Sequence, residues 1–474
     1  MRVLFVAAEV TPFAKTGGLA DVALALPRAL ASLGVEVLVV MPKHRAVAAK
    51  AELLEAARFE VALGSGTKPC VAYSAVLPDS RVPIYFLGND GYFDRPAIYG
   101  EGGEYHDALE RFAFLSRGAL ELAEALRWKA DLVHANDWHT ALLPAYVRSA
   151  RLPHTRDAKT VLTIHNLSYQ GSFPCEQAAV TGLPEDVLAS YVRGDRVNLL
   201  RGGILTTDLV TTVSPTYAKE ILDAGDGLEE ELRSRKEALH GVINGIDDRV
   251  WDPAADPFLW ATYTRGDLAG KARNKAELQK ALGLAEDPGA PLVGAISRLA
   301  EQKGFDLILG AWDRIMDTGV QFVVLGTGSP DVEAFFRAAA ERSRSRVASL
   351  ITFSEEWAHR IEAASDIFLM PSRFEPCGLN QQYSLRYGTV PVVRATGGLR
   401  DTILDADADP QNGNGFSFEP YTADAVLDTL ARALAVYRQA PVRWQDILRR
   451  GMDRDLSWEG PARAYRDLYR QVVC

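Results

Sequence analysis

Apolar residues along the chain fall into short continuous runs separated by segments of helical spacing. RVLFVAA near the N-terminus is unbroken by polar residues, as in a strand buried on both faces. The loop TPFAKTGGL follows. Residues 21–33 then carry Val22, Leu26, Ala29, Leu30 and Leu33 at helical intervals, and Gly34 is a natural stop. VEVLVVMP reads as the next strand, which completes a strand–helix–strand unit. The same alternation returns later. PLVGAIS, QFVVLG, SLITF, DIFLMPS and VPVVRA read as strands. Between them the spacing predicts helices from Phe305 to about Asp317, near Glu355–Ala364 and near residues 379–387. Repeated alternation of this kind means parallel sheets with helices on both faces, a doubly wound α/β fold.

Between the two alternating blocks lies HGVINGIDDRVWDP, where Asn-Gly and Asp-Pro mark turns. The boundary is therefore placed near Asn244. An N-terminal domain is expected over 1–243 and a second over 244–455. The final segment, 456–474, reads as an amphipathic helix with Tyr465, Leu468, Tyr469 and Val472 on one side. A chain of 474 residues suits two such domains. Its formal charge of −10 gives no whole-protein attraction to nucleic acid or to an anionic membrane. The N-terminal strand does not read as a signal peptide, and no transmembrane helix is expected. The four cysteines, Cys70, Cys175, Cys377 and Cys474, form no Cys-x-x-Cys pair. A cytoplasmic protein without disulfides or zinc is the expectation.

Candidate chemistry clusters in the loops. TGGLAD at 16–21 is echoed by TGGLRD at 396–401, each before a predicted helix. Such loops can aim backbone amides at an anion, and glycine allows close approach; a coincidence of glycine turns is the plainer alternative. Lys15 adjoins the first loop and suits a phosphate, although neither G-x-x-x-x-G-K-[ST] nor G-x-G-x-x-G is present. Arg298 and Lys303 follow a buried strand, where two cations can offset a diphosphate leaving group, or simply form loop salt bridges. Glu375 lies between a strand and a helix. It can hold sugar hydroxyls or stabilise an oxocarbenium-like centre, or serve only the helix dipole. Cys377 lacks an evident base partner and is not read as a nucleophile. His134, Asp137 and His139, with His165 and Asn166, suit hydrogen bonds to a polyhydroxylated ligand better than a metal site. Trp138 and Tyr169 are available to pack on that ligand.

Taken together, KTGGLADV, HANDWHT, TIHNLSYQG, INGID, SRLAEQKG, SRFEPCGLNQQYSLRYG and TGGLRDT resemble the bacterial glycogen synthase and plant starch synthase family, in order along nearly the whole chain. The resemblance implies a GT-B fold, two Rossmann-like domains facing a deep cleft, with the last helix crossing back onto the first. It implies transfer of glucose from ADP-glucose to the non-reducing end of an α-1,4-glucan such as glycogen, with retention and with no metal or other cofactor. Lys15 and Gly18 would contact donor phosphates, and Arg298 and Lys303 the departing diphosphate. His165 would present its backbone carbonyl to the anomeric centre, and Glu375 would bind the transferred glucose. Cys377, Gly378, Leu379 and Asn380 would offer amides to sugar and phosphate oxygens. Asp137 and Asn244 would line the sugar pocket, Asp21 the cleft beside it, and Asn166 would bind substrate. Tyr383 stands at the second position of a Glu-x7-Glu pattern, so one ribose-binding carboxylate is missing. Phe353 stands where a tyrosine would stack on adenine, and Thr396 would support the nucleotide side. Other retaining enzymes of the same fold, such as sucrose or trehalose-type synthases, and a non-catalytic glucan-binding protein are the competing readings.

Overall fold

Arg2–Val6 is the strand from which the first sheet is wound, in a computed structural model that describes residues 1–64 and 66–473. Four of its five residues are buried, which explains the unbroken apolar run. Glu36–Pro42 pairs parallel on one side of it and Leu132–Asn136 on the other. Beyond the latter come Lys159–Ile164, Leu209–Thr212 and Leu239–Gly241, all parallel. On the opposite flank Pro83–Gly88 is parallel, followed by the antiparallel hairpin Gly66–Val76 and Leu54–Leu63. Among the described residues this gives a sheet of nine strands. Because the chain leaves the first strand in both directions, its carboxyl end is a topological switch point. Open α/β sheets bind ligands at such points.

Among the described residues the second sheet has six parallel strands. They are, edge to edge, Val347–Leu350, Gln321–Leu325, Leu292–Ile296, Ile367–Met370, Val390–Arg394 and Phe416–Phe418. Counted within the unit, the order is 3-2-1-4-5-6, the doubly wound arrangement of a Rossmann-like fold. The switch point is the end of Leu292–Ile296, two residues before Arg298.

The chain divides into two units. One is Met1–Asn244 with the chain from Trp458 onward; the other is Gly245–Ser457. The division falls one residue beyond the first boundary read from the sequence and two beyond the second. Ile246 and Leu456, the segments entering and leaving the second unit, are joined by an N–H···O bond of 2.8 Å. The final helix, Glu459–Val473, buries Tyr465 and Tyr469 in a core formed with Phe5, Leu26, Val39 and Leu132. Leu468 and Val472 cover the margin of that core.

Local boundaries shift for identifiable reasons. The first helix starts at Gly18 rather than Asp21, with Gly17 as its extended cap, and runs to Ser32. The helix expected over 379–387 is shorter, Asn380–Arg386. Cys70, Cys175 and Cys377 are free thiols, while Cys474 lies outside the described residues. Among the described residues no helix is long and apolar enough to cross a membrane.

Candidate functional site

In the first unit the residues of interest sit on loops after parallel strands. Asp137 follows Leu132–Asn136 and adopts φ +55°, an uncommon conformation for a non-glycine residue that costs about 1–3 kcal/mol. The turn is held by its own amide, which donates to Thr163 O at 2.8 Å. It directs the Asp137 carboxylate at the loop after Lys159–Ile164. There Oδ1 accepts the amides of His165 at 2.7 Å and Asn166 at 3.5 Å. Burial opposes the charge more than these two amides favour it, and the Asp137 carboxyl is pushed up to about 7.

His165 is oriented by Asn136. The Asn136 amide nitrogen donates to Val6 O, so its oxygen faces His165 Nε2 at 2.9 Å and that nitrogen carries the proton. Burial lowers the ring to about 3, so it is neutral near pH 7. Asn166 folds its side-chain oxygen onto the Ser168 amide, 3.1 Å away. Tyr169 is exposed, whereas Trp138 is buried against Phe112 and His139. Asn244, at the end of this unit, is also buried.

His134 belongs to the core instead of to a ligand. Its Nδ1 meets Tyr469 Oη and its Nε2 meets Thr163 Oγ1, each at 2.6 Å. A histidine on a buried strand has a bonded partner on each side here, one from the last helix.

The first glycine loop departs from the reading of it as an open anion cradle. Glu9 Oε2 accepts the amides of Thr16 and Gly17, the latter at 3.3 Å. Lys15 Nζ donates to Asp21 Oδ1 at 2.8 Å, and Thr11 Oγ1 shares that oxygen at 3.0 Å. Two amides and the ammonium are thus met by carboxylates of the chain itself, with Gly18 opening the helix behind them. Glu9 was not singled out from the sequence. Its signal was an acid ending an apolar run, and burial raises its carboxyl above the ordinary range.

In the second unit three loops meet at the ends of adjacent strands. Lys303 Nζ donates to Glu375 Oε2 at 2.6 Å, and Ser372 Oγ donates to the same oxygen at 3.1 Å. The Arg373 amide bonds to Gln302 O at 2.9 Å, and Arg298 reaches Gln302 Oε1 at the same distance. Asn380 Nδ2 donates to Ile296 O at 2.8 Å. Arg298 is exposed, while Glu375 and Cys377 are buried. Lys303 and Glu375, expected to act separately on phosphate and sugar, therefore form one charge-assisted pair.

The second glycine loop serves packing. Gly397 has φ +46°, and a Cβ there would lie 2.0 Å from Glu375 O. At Gly398 a Cβ would lie 2.0 Å from Cys377 O, and its amide donates to Glu375 O at 3.1 Å. These glycines let residues 396–398 touch the backbone that carries Glu375, with Thr396 buried beside them. The amide that was expected to face an anion faces a carbonyl.

Two further residues stand apart. Tyr383 is stacked on Trp251, with ring centroids 3.7 Å apart, and Trp251 also stacks on His359 at 3.8 Å. Phe353 lies beyond Val347–Leu350, three strands from the Glu375 loop, with 83% of its surface exposed. Gly378 adopts φ +72°, which turns the chain between Cys377 and Leu379 into the helix at Asn380.

Two family models match the chain: starch synthase catalytic domain over residues 2–234, and glycosyl transferases group 1 over 275–446. The chain is 47% identical to a glycogen synthase of Anaeromyxobacter sp. (strain Fw109-5), covering 100% of both proteins. It is 46% identical to glycogen synthase 2 of Geobacter sulfurreducens, covering 100% of this chain and 99% of that one. The catalytic domain of starch synthase IV from Arabidopsis thaliana, solved bound to ADP and acarbose, matches with a TM-score of 0.92, 35% identity and 99% of each chain covered. Sucrose-phosphate synthase from Thermosynechococcus elongatus matches at 0.60 with 17% identity, covering 99% of this chain and 98% of that one, a likeness of fold alone.

Proposed function

As the chain belongs to the glycogen and starch synthase family of GT-B glycosyltransferases, we propose that it moves glucose from ADP-glucose to the non-reducing end of an α-1,4-glucan, with retention and without a metal ion. It is a glycogen or starch synthase, an enzyme with a nucleotide-sugar donor and a glucan acceptor. Choice of ADP is supported by the relative solved with ADP. Work in the cytoplasm accords with the free thiols of Cys70, Cys175 and Cys377 among the described residues.

The observation that carries the chemical reading is the Lys303–Glu375 pair beside Arg298 at a switch point. As the bond from the anomeric carbon to the diphosphate breaks, negative charge grows on the leaving group. Arg298 and Lys303 offset that charge, the part a metal ion would otherwise play. Lys303 has three N–H donors, and the bond to Glu375 uses one. Glu375 holds the transferred glucose, and amides from Cys377 to Asn380 receive its oxygens and those of phosphate. Tyr383 and Thr396 support the nucleotide side, and Phe353 offers a free ring face to adenine.

In the first unit Lys15 and Gly18 meet donor phosphates, with Asp21 holding Lys15. Asp137, Asn166 and Asn244 meet sugar hydroxyls. The His165 carbonyl faces the anomeric carbon as positive charge develops. Its imidazole suits that position because burial keeps it neutral, whereas an imidazolium would repel an oxocarbenium-like centre. Retention is the outcome expected when the acceptor hydroxyl attacks on the face from which the diphosphate leaves.

The test is nucleotide release from ADP-, UDP- and GDP-glucose, with and without glycogen, and with and without EDTA. Glycogen-dependent release that is fastest from ADP-glucose, indifferent to EDTA and gives an α-linked product by proton NMR is expected. A β-linked product, loss of activity in EDTA or a clear preference for UDP-glucose would refute the corresponding part.

A further inference from the structure

Arg111 is among the largest side chains with no exposed surface. It lies on the helix Ala108–Ala125, and Phe93, Tyr105 and Phe112 present rings to its guanidinium at 5.6, 4.9 and 5.4 Å. Burying this charge is costly, so the bonds it makes identify what it is buried for. Nε donates to Tyr92 O and Nη2 to Ile98 O, both at 2.9 Å. The fork therefore fastens the two ends of the segment 92–98.

The residue that follows is Tyr99. It lies between the short helix Asp90–Phe93 and a stretch where Gly100, Gly102 and Gly103 interrupt the chain, so no regular element fixes its backbone. The Tyr105 amide donates to Tyr99 O at 3.1 Å, and side chains supply the further bonds that hold the segment. Its ring stacks on His139 at 4.7 Å, and its hydroxyl donates to Glu9 Oε1 at 3.0 Å. Glu9 in turn accepts the Thr16 and Gly17 amides, next to Lys15. An unbroken run of bonds leads from the buried arginine to the first glycine loop.

We propose that Arg111 is a positioning residue for the transfer reaction: through Tyr99 and Glu9 it sets the loop that carries Lys15. This rests on the reading that Lys15 meets the donor. The planar fork is essential to the role, because it grips two carbonyls six residues apart in sequence, which a single ammonium does not reproduce.

The test is a double-mutant cycle on kcat/KM for ADP-glucose at saturating glycogen, with melting followed in parallel. Arg111→Met and Tyr99→Phe are each expected to lower kcat/KM about tenfold, and the double variant no more than about twentyfold, since both cut one run of contacts. Arg111→Lys is expected to behave as Arg111→Met. If Arg111→Met does not yield folded protein, Arg111→Lys takes its place in the cycle. A loss near a hundredfold in the double variant, meaning independent effects, would overturn the proposal. So would rescue by lysine, or unchanged kcat/KM in a folded Arg111 variant. Lys15→Ala is measured alongside. Wild-type kcat/KM there overturns the donor reading of the loop, whereas an impaired Lys15→Ala with normal Arg111 variants overturns this proposal alone.

Discussion

Replacing Lys303 by methionine removes the ammonium while keeping an unbranched stem, and it perturbs stability and chemistry at once. The Lys303 and Glu375 side chains are only 17% and 7% exposed, with nitrogen and oxygen 2.6 Å apart. Loss of Lys303 leaves Glu375 Oε2 the Ser372 hydroxyl, 3.1 Å away. Breaking a buried pair in this way costs about 3–5 kcal/mol, and residual solvent at Lys303 argues for the lower end, about 3 kcal/mol. For a unit of roughly 200 residues that is a fall in Tm of about 6–12 °C. Losing a preorganised group for the diphosphate lowers kcat by about 10²–10³, or about 3–4 kcal/mol. Lys303→Met/Glu375→Gln separates the two effects, because it removes both charges. Calorimetry should show the double variant recovering much of the lost Tm, while nucleotide release at saturating ADP-glucose stays depressed. If the double variant melts no higher than Lys303→Met, the unpaired carboxylate is not the source of the instability. If Lys303→Met turns over at the wild-type rate with saturating donor, the leaving-group role is wrong.

Asp137 predicts a pH signature. Its folded-state carboxyl titrates at about 7 against about 4 unfolded, so the native state holds an extra proton between those values and stability falls as pH rises through that window. From pH 4 to 7 the Tm of Asp137→Asn should therefore rise relative to that of the unsubstituted protein, and parallel curves would contradict the burial argument. Tyr469→Phe removes the hydroxyl facing His134 Nδ1, at a cost of about 1–2 kcal/mol, and should speed hydrogen exchange in residues 459–473. Unchanged exchange would show that the bond does not secure the helix. Gly397→Ala places a methyl group 2.0 Å from Glu375 O at φ +46°, so kcat should fall more than tenfold even where the protein still folds. Normal turnover would show that the loop yields without moving Glu375.

The alternation of apolar runs and helical spacing was enough to read two doubly wound sheets, because burial on both faces leaves a local mark on each strand. The motif loops were also legible, since they follow the carboxyl ends of parallel strands. Their bonding was not. Lys303 and Glu375 are far apart in sequence, and nothing near either residue announces the other. The amides of Thr16 and Gly17 read as available for an anion in the sequence, whereas Glu9 occupies them. Tyr383 reads as an isolated substitution in a motif, yet Trp251, from the turn-rich boundary segment, covers its ring. Arg111 lies within an ordinary amphipathic helix, where an arginine reads as a surface residue. Each of these rests on a contact made outside the residue's own strand or helix, which periodicity does not encode.

Because the first unit is completed by the chain's final helix, its folding is tied to the order of synthesis. When residues 1–244 have left the ribosome, the places of Trp458, Ala462, Tyr465 and Tyr469 in the Phe5–Val39 core are still vacant, and His134 lacks its Tyr469 partner. The whole second unit must be translated before that core can close. The nascent first unit therefore presents an unfinished apolar face for the time needed to make more than two hundred further residues, about 10–40 s at roughly 5–20 residues per second. A product ending just before Trp458 would retain that face permanently, which makes it a natural substrate for chaperones and proteases.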